Sequence, residues 1–95
     1  MAAYVLANVE IFDAAGFAQY REKVPATIAK YGGRYLVRGG TALAAEGNMT
    51  PKRVVMLEFP NLEAARAWYE SPEYKPLVEM RQRTAKTDVW IVEGV

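Results

Sequence analysis

The chain has 95 residues and a mass of 10.6 kDa, the size of one domain. Apolar residues make up 52% and charged residues 24%, which excludes a disordered chain, and a formal net charge of +1 excludes the strong positive field that holds nucleic acid or anionic membrane non-specifically. There is no Cys and no His, so disulfides, thiolate nucleophiles, zinc–sulfur sites, imidazole bases and His ligands to metal or haem are all excluded.

Residues 3–11 read as the first strand. Val5, Ala7, Val9 and Ile11 form one face, and Tyr4, Leu6, Asn8 and Glu10 the other. No basic stretch opens the chain, Asn8 and Glu10 interrupt its first apolar run, and no segment approaches the ~18 apolar residues of a membrane span. A cytoplasmic location is expected, with one domain over residues 1–95. Asp13 is placed to cap a helix. Phe17, Tyr20, Val24, Ile28 and Tyr31 follow at helical spacing. Pro25 lies inside that pattern, where it removes a hydrogen bond and crowds the carbonyl of Arg21, so a kink or restart is expected there.

Gly32-Gly33 ends the helix, one of the pair taking the left-handed conformation. Arg34-Tyr35-Leu36-Val37-Arg38 is a short strand, and Gly39-Gly40 a bulge or bend at its end. Residues 41–52 are the least regular part, with an expected edge strand around residues 43–46 and a turn at Gly47-Asn48. Residues 53–59 form the third main strand, Val55, Leu57 and Phe59 alternating against Val54, Met56 and Glu58.

Asn61 caps the next helix, through Leu62, Ala65, Trp68 and Tyr69. Ser71-Pro72 starts a new piece, and Pro76 implies that this piece begins as a single turn and becomes regular only afterwards. Leu77, Met80, Arg81 and Thr84 continue a helical face. The last strand covers residues 88–93, with Val89 and Ile91 on one face and Trp90 and Val92 on the other.

The order β-α-β-β-α-β is the ferredoxin-like α+β arrangement, an antiparallel sheet with two helical segments on one face. The other face should be polar if it meets water. Instead the outer strands carry large apolar groups on both sides, which monomers rarely expose. A second copy packed sheet to sheet is the simplest cover, giving a dimeric α/β barrel.

The run Tyr31-Gly32-Gly33-Arg34-Tyr35-Leu36-Val37-Arg38-Gly39-Gly40, with Glu46-Gly47, Glu58-Phe59-Pro60, Ala67-Trp68-Tyr69-Glu70-Ser71-Pro72-Glu73-Tyr74, Arg81 and Val92-Glu93-Gly94, resembles the family called domain of unknown function 1330. The resemblance spans nearly the whole chain. It implies the dimeric α/β barrel superfamily, whose members include cofactor-free monooxygenases, small lactone isomerases, haem-modifying enzymes and ligand-sensing domains. It brings no settled activity, and the absence of His separates this chain from the haem and His-dependent branches.

Polar and aromatic residues gather within these motifs. Tyr20, Arg38, Trp68, Ser71, Tyr74 and Arg81 are the candidate ligand-binding residues, and Glu46 is the candidate catalytic base. Arg81 follows Tyr74 by two helical turns, with Leu77 between them, so its charge is expected out of water. Such an arginine needs an acidic partner or an anionic ligand. Two readings stay open. In one, Arg38 or Arg81 pairs with Glu46, Glu58 or Glu93, Ser71 is a helix cap and Trp68 belongs to the core. In the other, Arg38 and Arg81 hold a carboxylate or enolate in a pocket walled by Tyr20, Trp68 and Tyr74. The chain is then a small-organic-acid-binding homodimer or a cofactor-independent isomerase or monooxygenase; a purely structural dimer is the third possibility. No cofactor, metal, nucleic acid or membrane partner is expected. Neither a dinucleotide-binding nor a Walker pattern occurs, and Arg81, Arg83 and Lys86 read as favourable charge near a helix C-terminus.

Overall fold

The computed structural model describes residues Met1–Val95. The elements are β1 (Ala3–Ile11), α1 (Ala14–Lys30), β2 (Arg34–Arg38), β3 (Arg53–Phe59), α2 (Leu62–Tyr69), α3 (Lys75–Thr84) and β4 (Ala85–Glu93). The strands form one antiparallel sheet in the order β2-β3-β1-β4. This is the ferredoxin-like α+β fold. The second helical segment is two helices, α2 and α3, divided where Ser71-Pro72 marks the break.

Local chemistry accounts for most boundaries. Asp13 accepts from the Gly16 amide at 3.1 Å, and Asn61 accepts from the Ala64 amide at 2.8 Å, so both helices start on a side-chain cap. Gly32 ends α1 with φ +80°, the left-handed conformation that favours glycine. Ser71 Oγ accepts from the Tyr74 amide at 3.1 Å and donates to the Trp68 carbonyl at 2.7 Å, which shapes the turn between α2 and α3.

Three expectations are corrected. The helix α1 runs unbroken through Pro25. The bend expected at Gly39-Gly40 is present, Gly39 taking φ +72° with its amide on the Val54 carbonyl at 2.8 Å, and a further irregularity lies inside β2, where the register shifts between Tyr35 and Val37. No strand forms around residues 43–46, and the whole loop from Gly39 to Thr50 is exposed. The strand β4 begins at Ala85, three residues early, because its pairing with β1 extends to Ile11↔Ala85.

The core fills the space between sheet and helices. Ala3, Val5 and Val9 of β1 and Leu57 and Phe59 of β3 meet Phe17, Val24 and Ile28 of α1, Ala65 and Trp68 of α2 and Leu77 of α3. The molecule is 17 Å across its shortest dimension, the depth of one sheet with one helix layer. The opposite sheet face is therefore bare. It carries Tyr4, Leu6, Met56 and Val54 at its centre, with Trp90 45% and Val92 46% exposed on the edge strand.

Candidate functional site

Between the helix layer and the sheet lies a cavity of about 50 Å³. One water needs roughly 10–15 Å³ by the same measure, so the space admits several heavy atoms. Its walls are mostly apolar. Every ionisable group lining it is a phenol or a guanidinium: Tyr20, Tyr35 and Tyr74, with Arg21, Arg38, Arg53 and Arg81. No carboxylate lines it.

The inner end is built on α1 and on the turn into α3. The Tyr20 and Tyr74 hydroxyls share a hydrogen bond of 2.7 Å, and Arg81 Nη1 donates to the Tyr74 oxygen at 3.0 Å. Trp68 stacks on Tyr74 with ring centroids 4.0 Å apart. The Trp68 indole N–H donates to Thr27 Oγ1 at 3.0 Å, and that hydroxyl donates to the Val24 carbonyl, so the stack is pinned to α1. The turn bearing Tyr74 is held from outside by Glu73, which accepts from the Tyr31 hydroxyl at 2.7 Å and pairs with Lys30 at 3.1 Å. The Tyr31 hydrogen bond, then that of Lys30, holds the Glu73 carboxyl below its usual range.

Arg81 is 5% exposed, and its Nε is buried with no hydrogen-bond partner. The chain's ion pairs are Lys30–Glu73, Arg34–Glu58 and Lys52–Glu10, and none involves an arginine of the cavity. Burial pushes the Tyr20 and Tyr74 phenols above their ordinary value near 10, so both are neutral at physiological pH. A buried guanidinium thus stands at the cavity with no counter-charge, an arrangement that carries a large desolvation cost.

The outer end is at the close of β2 and the start of β3. Arg38 lies over the Tyr35 ring, 4.4 Å from its centroid. Its Nη2 donates to the Arg21 carbonyl at 3.4 Å. Pro25 explains why that carbonyl is free: with no N–H, Pro25 cannot serve the acceptor four residues earlier. The proline inside α1 thereby gives Arg38 its anchor.

The expected residues separate as follows. Tyr20, Trp68, Tyr74, Arg38 and Arg81 all line the cavity. Ser71 is buried beneath the Trp68–Tyr74 turn as a backbone cap and is not among the lining residues. Glu46 is exposed in the β2–β3 loop, outside the lining. The expected acidic partners do not pair with Arg38 or Arg81, and Glu58 instead pairs with Arg34 at 2.7 Å. Arg21 and Arg53 escaped the sequence reading. Both had a signal: Arg21 is one turn after Phe17 on the inner stripe of α1, and Arg53 extends the alternation of Val55, Leu57 and Phe59 backwards by one step.

Solved structures with this fold are distant in sequence. A protein of unknown function from Rhodopseudomonas palustris, RPA0582, has a TM-score of 0.78 and 18% identity over 99% of this chain and 82% of that one. A dimeric ferredoxin-like protein of unknown function from Jannaschia sp. CCS1 has a TM-score of 0.72 and 13% identity over 99% of this chain and 100% of that one. SnoaB from Streptomyces nogalater, a cofactor-independent oxygenase, has a TM-score of 0.67 and 14% identity over 99% of this chain and 92% of that one. No curated protein matches the chain by sequence. The family described as Domain of unknown function (DUF1330) matches residues 2–95, and the chain belongs to it.

Proposed function

We propose that this protein binds a small organic acid in the cavity between helices and sheet, as a homodimer packed through the bare sheet faces in the cytoplasm. One observation carries the binding reading. Arg81 is buried beside neutral phenols, its Nε has no partner, and no carboxylate of the chain neutralises it. A carboxylate guest would supply both the acceptor and the charge. A cationic guest would meet only like charge. Tyr20, Trp68 and Tyr74 would wall the guest, Arg38 would guard its entry, and Ser71 would act by holding the turn that presents Tyr74. For the dimer, the support is the apolar outer face and the description of fold neighbours as dimeric.

The test is thermal shift of wild type and Arg81→Met against small aliphatic and aromatic acids. Acids that raise the wild-type melting temperature and leave the variant unmoved support the reading. Acids that shift both equally, or that shift neither, refute it.

A second reading is catalysis without a cofactor, and the Tyr20–Tyr74 hydroxyl pair beside Arg81 favours it. Phenol and guanidinium donors stabilise an enolate oxyanion as its charge develops. Glu46 is the proton acceptor in this reading, and from its place in the exposed loop it has to reach the cavity to act. Unchanged turnover in Glu46→Gln, on any substrate found, would exclude it as the base.

A further inference from the structure

Arg81 is one of two cavity guanidiniums with a buried and unpartnered nitrogen. The Nε of Arg53 is the other. The two belong to different neighbourhoods. The groups that act on Arg81 are the phenols Tyr74, Tyr20 and Tyr69. Those that act on Arg53 are Arg21, Arg38 and Tyr35, at the mouth. Burial first, and then the like charges of Arg21 and Arg38, hold the Arg53 guanidinium below its ordinary value. Three arginines crowd one side of a cavity whose far side holds a fourth, and no carboxylate lines either side. Val5, Val9, Phe17, Val24 and Val55 line the space they share.

We propose that the ligand carries two anionic groups, one received by Arg81 and one by the Arg21–Arg38–Arg53 cluster, joined by a short aliphatic chain: a small dicarboxylate. This rests on the acid-binding reading and goes beyond it by naming the ligand class. One anionic head satisfies one orphaned Nε and leaves the other cluster uncompensated; two heads satisfy both. The size of the cavity selects the linker. A cavity of roughly 150 Å³ takes a benzene. At about 50 Å³ this one takes one carboxylate head and the first methylenes, and the second head lies at the open end beside Arg21 and Arg38, which are exposed.

Isothermal titration of the full-length protein tests this, with butyrate and hexanoate as monoacids and succinate, glutarate, adipate and pimelate as diacids. The best diacid binds at least about tenfold tighter than the monoacid of similar length, a difference of ~1.4 kcal/mol. Arg53→Met removes most of that advantage, weakening the diacid at least about fivefold more than the monoacid. Arg38→Gln, at an exposed position, reduces the advantage in the same direction. Equal affinity for monoacids and diacids, or equal weakening of both in Arg53→Met and Arg38→Gln, overturns the two-headed ligand while leaving the acid site standing. If no acid of either series binds, the acid-binding reading itself has failed and this inference falls with it.

Discussion

Arg81 Nη1 donates to the Tyr74 hydroxyl at 3.0 Å, two helical turns of sequence away, while its Nε has no partner. The phenol orients the guanidinium and does not neutralise it. Tyr74 is itself held by the Trp68 stack, the Ser71 cap and the Tyr20 hydrogen bond. A rigid frame thus presents one uncompensated charge to an apolar cavity.

The energetic consequence concerns Arg81→Met. Removing one member of a buried ion pair costs about 3–5 kcal/mol, because it strands the other. Here there is no other, and Met fills much of the same volume. Ligand-free Arg81→Met is therefore expected to be as stable as wild type or more stable, by up to about 1–2 kcal/mol. Urea denaturation measures this. A loss of several kcal/mol would show that the arginine supports the fold.

The phenols set the alkaline behaviour. Burial raises the folded values of Tyr20 and Tyr74 above the ordinary value near 10. Above pH 10 the unfolded chain releases these protons while the folded chain keeps them, so the unfolded state binds fewer protons and stability falls as pH rises. The effect is absent below that pH. Stability measured between pH 8 and 11 is expected to fall above pH 10, with a shallower fall in Tyr20→Phe. An unchanged slope in Tyr20→Phe would mean that its phenol titrates normally.

Pro25 couples helix and cavity mouth. In Pro25→Ala the new amide competes with Arg38 for the Arg21 carbonyl, so the helix gains a hydrogen bond and Arg38 loses its anchor. Stability is expected to rise by about 1–2 kcal/mol. Acid affinity should fall a few-fold. Calorimetry and titration on the same variant check the two effects, and unchanged affinity would show that the anchor has no part in binding.

The bare sheet face predicts association. Light scattering at micromolar concentration should give twice 10.6 kDa. Trp90→Asp places a charge in the apolar face, where the side chain is 45% exposed, and should yield a folded monomer. A monomeric wild type would leave Tyr4, Leu6 and Trp90 without their proposed cover.

The β-α-β-β-α-β order was legible because its cues are local: period-two strands, capped helix starts and glycine stops. The Tyr74–Leu77–Arg81 stripe was legible for the same reason. What escaped depends on pairing. Ala85, Lys86 and Thr87 have no strand pattern of their own and become β4 by pairing with Val9, Glu10 and Ile11. The pattern leaves the partner of Arg81 open, although Glu58 alternates with Leu57 and Phe59 and so faces away from the helices. Arg53 has a strand position that is readable, but its place at the cavity mouth follows from β2 lying alongside β3.

The most direct measurement is the NMR signal of the Arg81 Nε–H, assigned by its loss in Arg81→Met and followed while glutarate or butyrate is added. A buried donor that takes up a carboxylate should show a saturable shift at the concentrations that raise the melting temperature. Acid stabilisation with the Arg81 signal unmoved, or no acid-induced change at all, would contradict the claim that this guanidinium awaits an anionic guest.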